Sequence, residues 1–114
     1  VVSDWMRIDD NPPSQKMQEY NAAEGLDMFM CSLKHYEEIL KNAGFTDIIV
    51  EDRHAWYLDK AQQELADIQG PLNKQVIDAI GPEETFGAID IWKKLIGVLK
   101  TGEHRPGHFK AIKK

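Results

Sequence analysis

The segment that most constrains the fold is residues 32–53, where a capped amphipathic helix is followed by a glycine and then an apolar strand. Ser32 is placed to cap the helix, and Gly44 is expected to end it in the left-handed conformation. Apolar residues recur at helical spacing on one face of the helix: Leu33, Tyr36, Leu40 and Ala43. The strand residues 48–50 are all apolar, which predicts a strand covered on both faces. A helix leading directly into a buried strand predicts an α/β fold.

The size and composition of the chain are those of one globular domain, which we place at residues 1–114. Hydrophobic residues make up 42% and charged residues 29%. No apolar run approaches the ~20 residues that cross a membrane, and a net charge of -5 opposes nucleic-acid binding. Cys31 is the single cysteine, so an intrachain disulfide is excluded and a reducing, cytoplasmic location is predicted. We therefore expect neither a membrane nor a nucleic acid as partner.

The pattern along the chain predicts three strands packed by four to five helices. The strands are predicted at residues 1–5, 46–52 and 107–113, with the first strand entered part-way. Helices are predicted over about 14–23, 32–43 and 55–68, then in a short stretch ending near residue 80, and finally after Pro82. Trp56, Tyr57 and Trp92 are predicted to lie in the core, and residues 101–107 are predicted to form a loop.

Several segments resemble one enzyme family. The segments are VVSDW at residues 1–5, Tyr20, HYEEILKNAGFTDIIVEDR at 35–53, Trp92 and the closing GHFKAIKK. In this order they resemble the C-terminal half of class I S-adenosylmethionine-dependent methyltransferases, and within these the phosphoethanolamine N-methyltransferases and sarcosine/dimethylglycine methyltransferases. The resemblance implies a partial Rossmann-like sheet whose last strand runs antiparallel between the other two. It also implies that this region forms most of the lid over the methyl acceptor.

The resemblance also implies what the chain lacks. In the family, a glycine-rich turn after the first strand and an acidic residue after the second hold S-adenosylmethionine. No G-x-G-x-G segment precedes a helix here. We therefore expect the N-terminal cofactor-binding half to be absent, and we expect no catalytic residue and no bound cofactor in this chain alone. Either that missing half or a second copy in a homodimer is expected to cover the strand edge left open.

The methyl acceptor is predicted from positions that, by the resemblance, correspond to phosphate-binding residues of the phosphoethanolamine N-methyltransferases. Those positions hold Trp5, Tyr20, Glu24, Leu26 and Leu95. A family arginine is thereby replaced by Glu24 and a lysine by Leu95, which removes charge-assisted donors to a phosphate. Trp5, Tyr20 and Glu24 instead suit an ammonium group. We therefore predict a small zwitterionic amine such as sarcosine or dimethylglycine.

The candidate substrate-binding residues each have a structural alternative. Trp5 ends a strand, where open α/β sheets bind ligands, but it also fits a core or rim aromatic. Tyr20 equally fits packing on its helix, and Glu24 fits a solvated helix end. Asp4 is a candidate for orienting the amine or for capping a turn. Arg105 is a candidate for contacting an acceptor carboxylate, or is a surface arginine. The four histidines lack metal-ligand spacing, so no metal site is expected.

These observations predict a fragment of an S-adenosylmethionine-dependent N-methyltransferase that acts on a small amine and is inactive alone. The alternative is a non-catalytic binding or assembly module derived from the same fold. A cofactor-binding half encoded upstream favours the enzyme, whereas a complete independent gene favours the module.

Overall fold

The computed structural model describes residues 1–25 and 29–114, which form three strands and five helices. In chain order the elements are β1 (Val2–Arg7), α1 (Gln15–Glu24), α2 (Leu33–Asn42), β2 (Phe45–Asp52), α3 (His54–Gln69), α4 (Asn73–Ile80), α5 (Pro82–Lys100) and β3 (His104–Lys113). The predicted α/β class is confirmed. Leu26, for which the resemblance implied a place in the acceptor site, lies outside the described residues.

The sheet has the strand order β1-β3-β2, and β3 runs antiparallel to both neighbours. The predicted central antiparallel strand is therefore confirmed. The predicted loop at residues 101–107 is wrong in its second half, because β3 already begins at His104. The reason is the length of β1, which continues to Arg7 and pairs that residue with His104.

The strand β2 is less covered than its apolar run predicted. Thr46 pairs with Ile112 and Ile49 pairs with Lys110, so β2 has one extra residue between these pairs. Asp47 lies within this bulge with a φ of 51°. Val50 pairs with the buried Phe109, but the side chain of Ile49 is 61% exposed. The prediction of burial on both faces is therefore wrong, because among the described residues helices α3 and α5 contact the sheet mainly at β3.

Two serines begin the first two helices in the same way. The Ser14 hydroxyl accepts a hydrogen bond from the Met17 backbone N–H at 3.1 Å. The Ser32 hydroxyl accepts one from the His35 N–H at 3.1 Å, which confirms the predicted cap. After α2, Gly44 adopts the left-handed conformation with a φ of 92°, also as predicted.

The helices cover the sheet in two layers, because alternate residues of β3 point to opposite faces. On one face the Tyr36 ring of α2 stacks on Phe109, with ring centroids 4.4 Å apart. On the other face α3 packs on β3, and α1, α3 and α4 pack on α5. The buried residues of this second layer form the main core: Met17, Tyr20, Ala61, Leu95, Ile96, Val98 and Leu99.

One of the two aromatic residues of α3 lies differently from the prediction. The Trp56 side chain is 53% exposed, so its predicted burial is wrong. Tyr57, four residues before the buried Ala61, packs partly buried against the core, as predicted. Trp92 packs partly buried against the core, as predicted. Within the described residues, no helix is long and apolar enough to cross a membrane.

Candidate functional site

A cluster of aromatic rings surrounds Trp5 near the end of β1. The Trp5 ring stacks on the His104 ring with centroids 4.3 Å apart and planes 13° from parallel. The edge of the Tyr57 ring meets Trp5 at 5.0 Å and 85°. His104 lies two residues before Pro106, which is the cross-strand partner of Trp5. The His104 and Trp5 rings therefore share one face of the sheet.

Tyr20 brings α1 into the same cluster. Its ring lies 5.2 Å from the His104 ring, and its hydroxyl donates a hydrogen bond to Glu24 Oε1 at 2.8 Å. The two residues are four apart on α1 and so lie on one helix face. Burial and the Glu24 carboxylate raise the pKa of Tyr20 above its ordinary value. The His104 ring thus lies between Tyr20 and Trp5, and the role of Tyr20 and Glu24 in binding a substrate stays a prediction.

That ring, His104, is the site residue that the sequence analysis missed. Its side chain is fully buried, and neither ring nitrogen has a hydrogen-bond partner among the described residues. Burial lowers the pKa of His104 to about 4, so the imidazole is neutral near pH 7. The signal that could have found His104 is the alternation of side chains along β3. Counted back from the apolar Phe109, His104 falls on the opposite face of the sheet, which is the face of Trp5, but only if β3 extends through the predicted loop.

Carboxylates lie on the helix side of the aromatic cluster. Burial, with the Glu64 and Glu24 carboxylates nearby, raises the pKa of Tyr57. The Glu64 carboxylate also accepts a hydrogen bond from Trp92 Nε1 at 3.1 Å. This side of the site therefore combines aromatic faces with negative charge, the two features that attract an ammonium group.

Two open clefts share Asp4 and Trp5 in their lining. The larger, the α2 cleft, has a volume of about 420 Å³, and its lining includes Asp4, Trp5, Phe29, Cys31, Tyr36 and Ile39. The smaller, the α3 cleft, has a volume of about 330 Å³, and its lining includes Asp4, Trp5, Arg53, Trp56, Tyr57 and His108. Both volumes suit a small molecule.

Asp4 contributes to both clefts. Its Oδ1 accepts a hydrogen bond from the Trp5 backbone N–H at 2.8 Å. Because β1 continues to Arg7, no turn follows Asp4 and the turn-capping alternative is wrong. The role of Asp4 in orienting an amine stays a prediction.

Arg105 does not join the cluster. It lies next to His104 on β3 and so points to the opposite face of the sheet. Its guanidinium donates to Asp52 Oδ2 at 2.6 Å and to the Gly102 carbonyl at 2.6 Å. Its donors are therefore engaged within the fold, and its contact with an acceptor stays a prediction.

Leu95 is 1% exposed and belongs to the main core. The position at which the resemblance implied a phosphate-binding lysine is thus part of the packing between helices. Among the described residues there is also no group of three or more histidine, cysteine or acidic side chains arranged to hold a metal ion.

Comparison with known proteins identifies relatives over nearly the whole chain. The phosphoethanolamine N-methyltransferase of Triticum aestivum is 29% identical over 109 residues, which are 96% of this chain and 21% of the relative. Phosphoethanolamine N-methyltransferase 1 of Zea mays is 30% identical over 114 residues, or 99% of this chain and 22% of the relative. The chain resembles part of a phosphoethanolamine N-methyltransferase. The resemblance inferred from the residues is confirmed, although no family model matches.

Solved structures support the fold. The phosphoethanolamine N-methyltransferase 2 of Haemonchus contortus, in complex with phosphomonomethylethanolamine and S-adenosylhomocysteine, superposes with a TM-score of 0.84 at 20% identity. Its complex with S-adenosylmethionine gives a TM-score of 0.79 at 21% identity. Each match covers 98% of this chain and 25% of the neighbour. The chain therefore has the fold of about a quarter of that methyltransferase, and it spans about a fifth of the length of the plant relatives.

Proposed function

We propose that this chain is the acceptor-binding part of an S-adenosylmethionine-dependent N-methyltransferase that acts on a small amine. The observation that carries the proposal is the convergence of Trp5, Tyr20 and Tyr57 with the Glu24 carboxylate, where Trp5 and Tyr57 also line the open α3 cleft. Aromatic faces and carboxylates attract ammonium groups. The similarity to phosphoethanolamine N-methyltransferases supports methyl transfer to nitrogen as the type of reaction.

The acceptor proposed here carries no phosphate. Glu24 is held by the Tyr20 hydroxyl, and a carboxylate at this point repels a phosphate. Leu95 is enclosed in the core and offers no donor. These two observations agree with the amine predicted from the sequence, whereas the relatives are named for phosphoethanolamine.

The chemical contribution of this chain would be binding and orientation. When bound in the complete enzyme, S-adenosylmethionine supplies the methyl group. Trp5, Tyr57 and Glu24 would hold the amine in one orientation, and the rings would exclude water from it. The chain contains no glycine-rich turn that fits the cofactor, so we propose that another part of a longer protein, or another subunit, holds it and that this chain is inactive alone.

The open edge of β1 supports the proposal of a covering partner. Within the described residues β1 pairs with β3 on one side, while on the other side a single bridge joins Arg7 to Ser32. Exposed apolar side chains accompany this edge, among them Val1, Val2 and Phe29. We propose that the cofactor-binding part covers it, because the solved relative is about four times longer. A stable homodimer of the 114-residue chain in sedimentation would instead identify a second copy as the partner.

The test is methyl transfer by the longest protein encoded at this locus, compared with the 114-residue chain. We expect transfer to a small amine by the longer protein and none by the chain alone. Glu24→Gln is expected to raise the KM for the amine about tenfold, because a charged hydrogen-bond partner is lost. Glu19→Gln, on the same helix, is the matched control and should leave the KM unchanged.

Two outcomes contradict the proposal. Methyl transfer by the 114-residue chain alone would show that it contains its own cofactor site. A longer protein without transfer to any amine, or a locus encoding this chain as an independent gene, would favour the non-catalytic module.

A further inference from the structure

The α3 cleft contains an arginine that the sequence analysis did not single out. Arg53 lies between β2 and α3, and its backbone N–H donates to the Pro106 carbonyl at 3.0 Å. Its guanidinium carbon lies 4.5 Å from the centre of the Trp56 ring. Trp5 and Tyr57 line the same cleft. The guanidinium is thus fixed in position beside the aromatic cluster.

The donors of Arg53 are only partly used. Nη1 donates to Glu51 Oε1 at 2.7 Å, but this carboxylate is 55% exposed, and such surface pairs contribute little to stability. Nε is buried without a hydrogen-bond partner among the described residues. An arginine can offer five N–H donors in a planar fork that matches a carboxylate. Because the buried Nε cannot reach a ligand in the cleft, the donor that Arg53 keeps available for an anion is Nη2, which makes no hydrogen bond among the described residues.

The other two arginines are engaged in the fold. Arg105 donates to Asp52 and to the Gly102 carbonyl. The guanidinium of Arg7 is buried and lies 3.5 Å from the Glu103 carboxylate, and it also donates to the Asn11 carbonyl. Arg53 is thus the arginine that combines a position in the α3 cleft, beside the aromatic cluster, with a terminal nitrogen that donates to no described residue.

We propose that Arg53 binds the carboxylate of a zwitterionic amine in the α3 cleft, with the ammonium group of the ligand against the Trp5 ring. This inference rests on the proposed function and deepens it, because it defines the acceptor as an N-methylated amino acid. Asp4 lines the same cleft, and Glu51 flanks Arg53. The Glu51 carboxylate beside Arg53 repels the two negative charges of a phosphate more strongly than the single charge of a carboxylate. The cleft, rather than Arg105, thereby supplies the anion contact.

The test is binding of four probes to the 114-residue chain, measured by calorimetry and by the fluorescence of its tryptophans. The probes are dimethylglycine, tetramethylammonium, acetate and phosphoethanolamine. We expect dimethylglycine to bind more tightly than the other three. Arg53→Gln is expected to weaken dimethylglycine at least tenfold and to leave tetramethylammonium unchanged, because only the carboxylate contact is lost.

Two further variants complete the design. Lys60→Gln removes the same charge from an exposed position on α3 and should change no affinity. Glu51→Gln removes the carboxylate that competes for Arg53 and should tighten dimethylglycine severalfold. This gain of binding keeps the inference testable even when Arg53→Gln loses its helical circular dichroism.

Several outcomes overturn the inference. The first is that Arg53→Gln weakens the binding of dimethylglycine and tetramethylammonium equally, or weakens neither. The second is that the unmodified chain binds phosphoethanolamine more tightly than dimethylglycine, or binds none of the four probes. Methyl transfer by the longer protein distinguishes failure of this inference from failure of the proposed function. Methyl transfer to amines with a KM unaffected by Arg53→Gln overturns only the Arg53 contact, whereas absence of transfer by the unmodified longer protein overturns the function.

Discussion

The buried imidazole of His104 should make the protein less stable in mild acid. Its pKa is about 4 in the folded protein against an ordinary value of 6.5. Between these values the unfolded chain binds more protons, so the free energy of unfolding falls as the pH drops below about 6.5. The two pKa values give a loss of about 2 kcal/mol at about pH 5, rising to a limit of about 3 kcal/mol below pH 4.

The range between about pH 7 and pH 5 isolates this effect. The carboxyl groups of Asp10, Glu51 and Glu103 have a lowered pKa in the folded protein. Their contributions are present above their ordinary values of 3.8 and 4.5 and are lost only as the pH falls further. The assay is urea unfolding followed by circular dichroism at the two pH values.

The variant His104→Leu tests whether His104 causes this loss of stability in acid. At neutral pH it removes an unpaired buried N–H, a gain of about 1 to 3 kcal/mol, and a ring stack on Trp5, a loss of about 0.5 to 1.5 kcal/mol. Its stability there should stay close to that of the parent, and its loss between pH 7 and pH 5 should largely vanish. The control His108→Leu, on the same strand, should keep the pH dependence. An equal acid loss in the parent and in His104→Leu would refute the explanation.

Two predictions concern helix ends. Gly44→Ala should lower the free energy of unfolding by about 1 kcal/mol, because alanine is strained at a φ of 92°; an unchanged urea midpoint would show that α2 ends differently. Ser14→Ala should cost about 1 kcal/mol or more, because it removes the cap of Met17 N–H and a hydrogen bond to the Glu103 carboxylate. For Ser14 the contradicting result is a loss no greater than that of Thr46→Ala, at an exposed contact between β2 and β3.

The predictions that succeeded depend on residues close together in the chain. Ser32 and Gly44 mark the ends of α2 because capping and left-handed glycine are local properties. The proximity of Tyr20 to Glu24 likewise follows from a spacing of four on one helix. The family resemblance added the strand order, which periodicity alone does not contain.

The predictions that failed depend on register between distant segments. His104 lay in a predicted loop, and only the pairing of β1 with β3 places its ring against Trp5. Trp56 and Ile49 were assigned to buried faces from their apolar character, yet burial depends on which helix covers which part of the sheet. Arg53 was assigned only to the end of a predicted strand. Its role as a candidate donor to an anion follows from its position beside Trp56 in the α3 cleft.

Local chemistry along the 114 residues thus determines where helices begin and end and which class of fold they build. The tertiary structure alone decides which side chains meet at Trp5, because β1 and β3 are about a hundred residues apart and their register is set by the packing of the whole sheet. A side chain in a strand changes face when the register moves by one residue. The aromatic cluster and the arginine of the α3 cleft are consequences of that register.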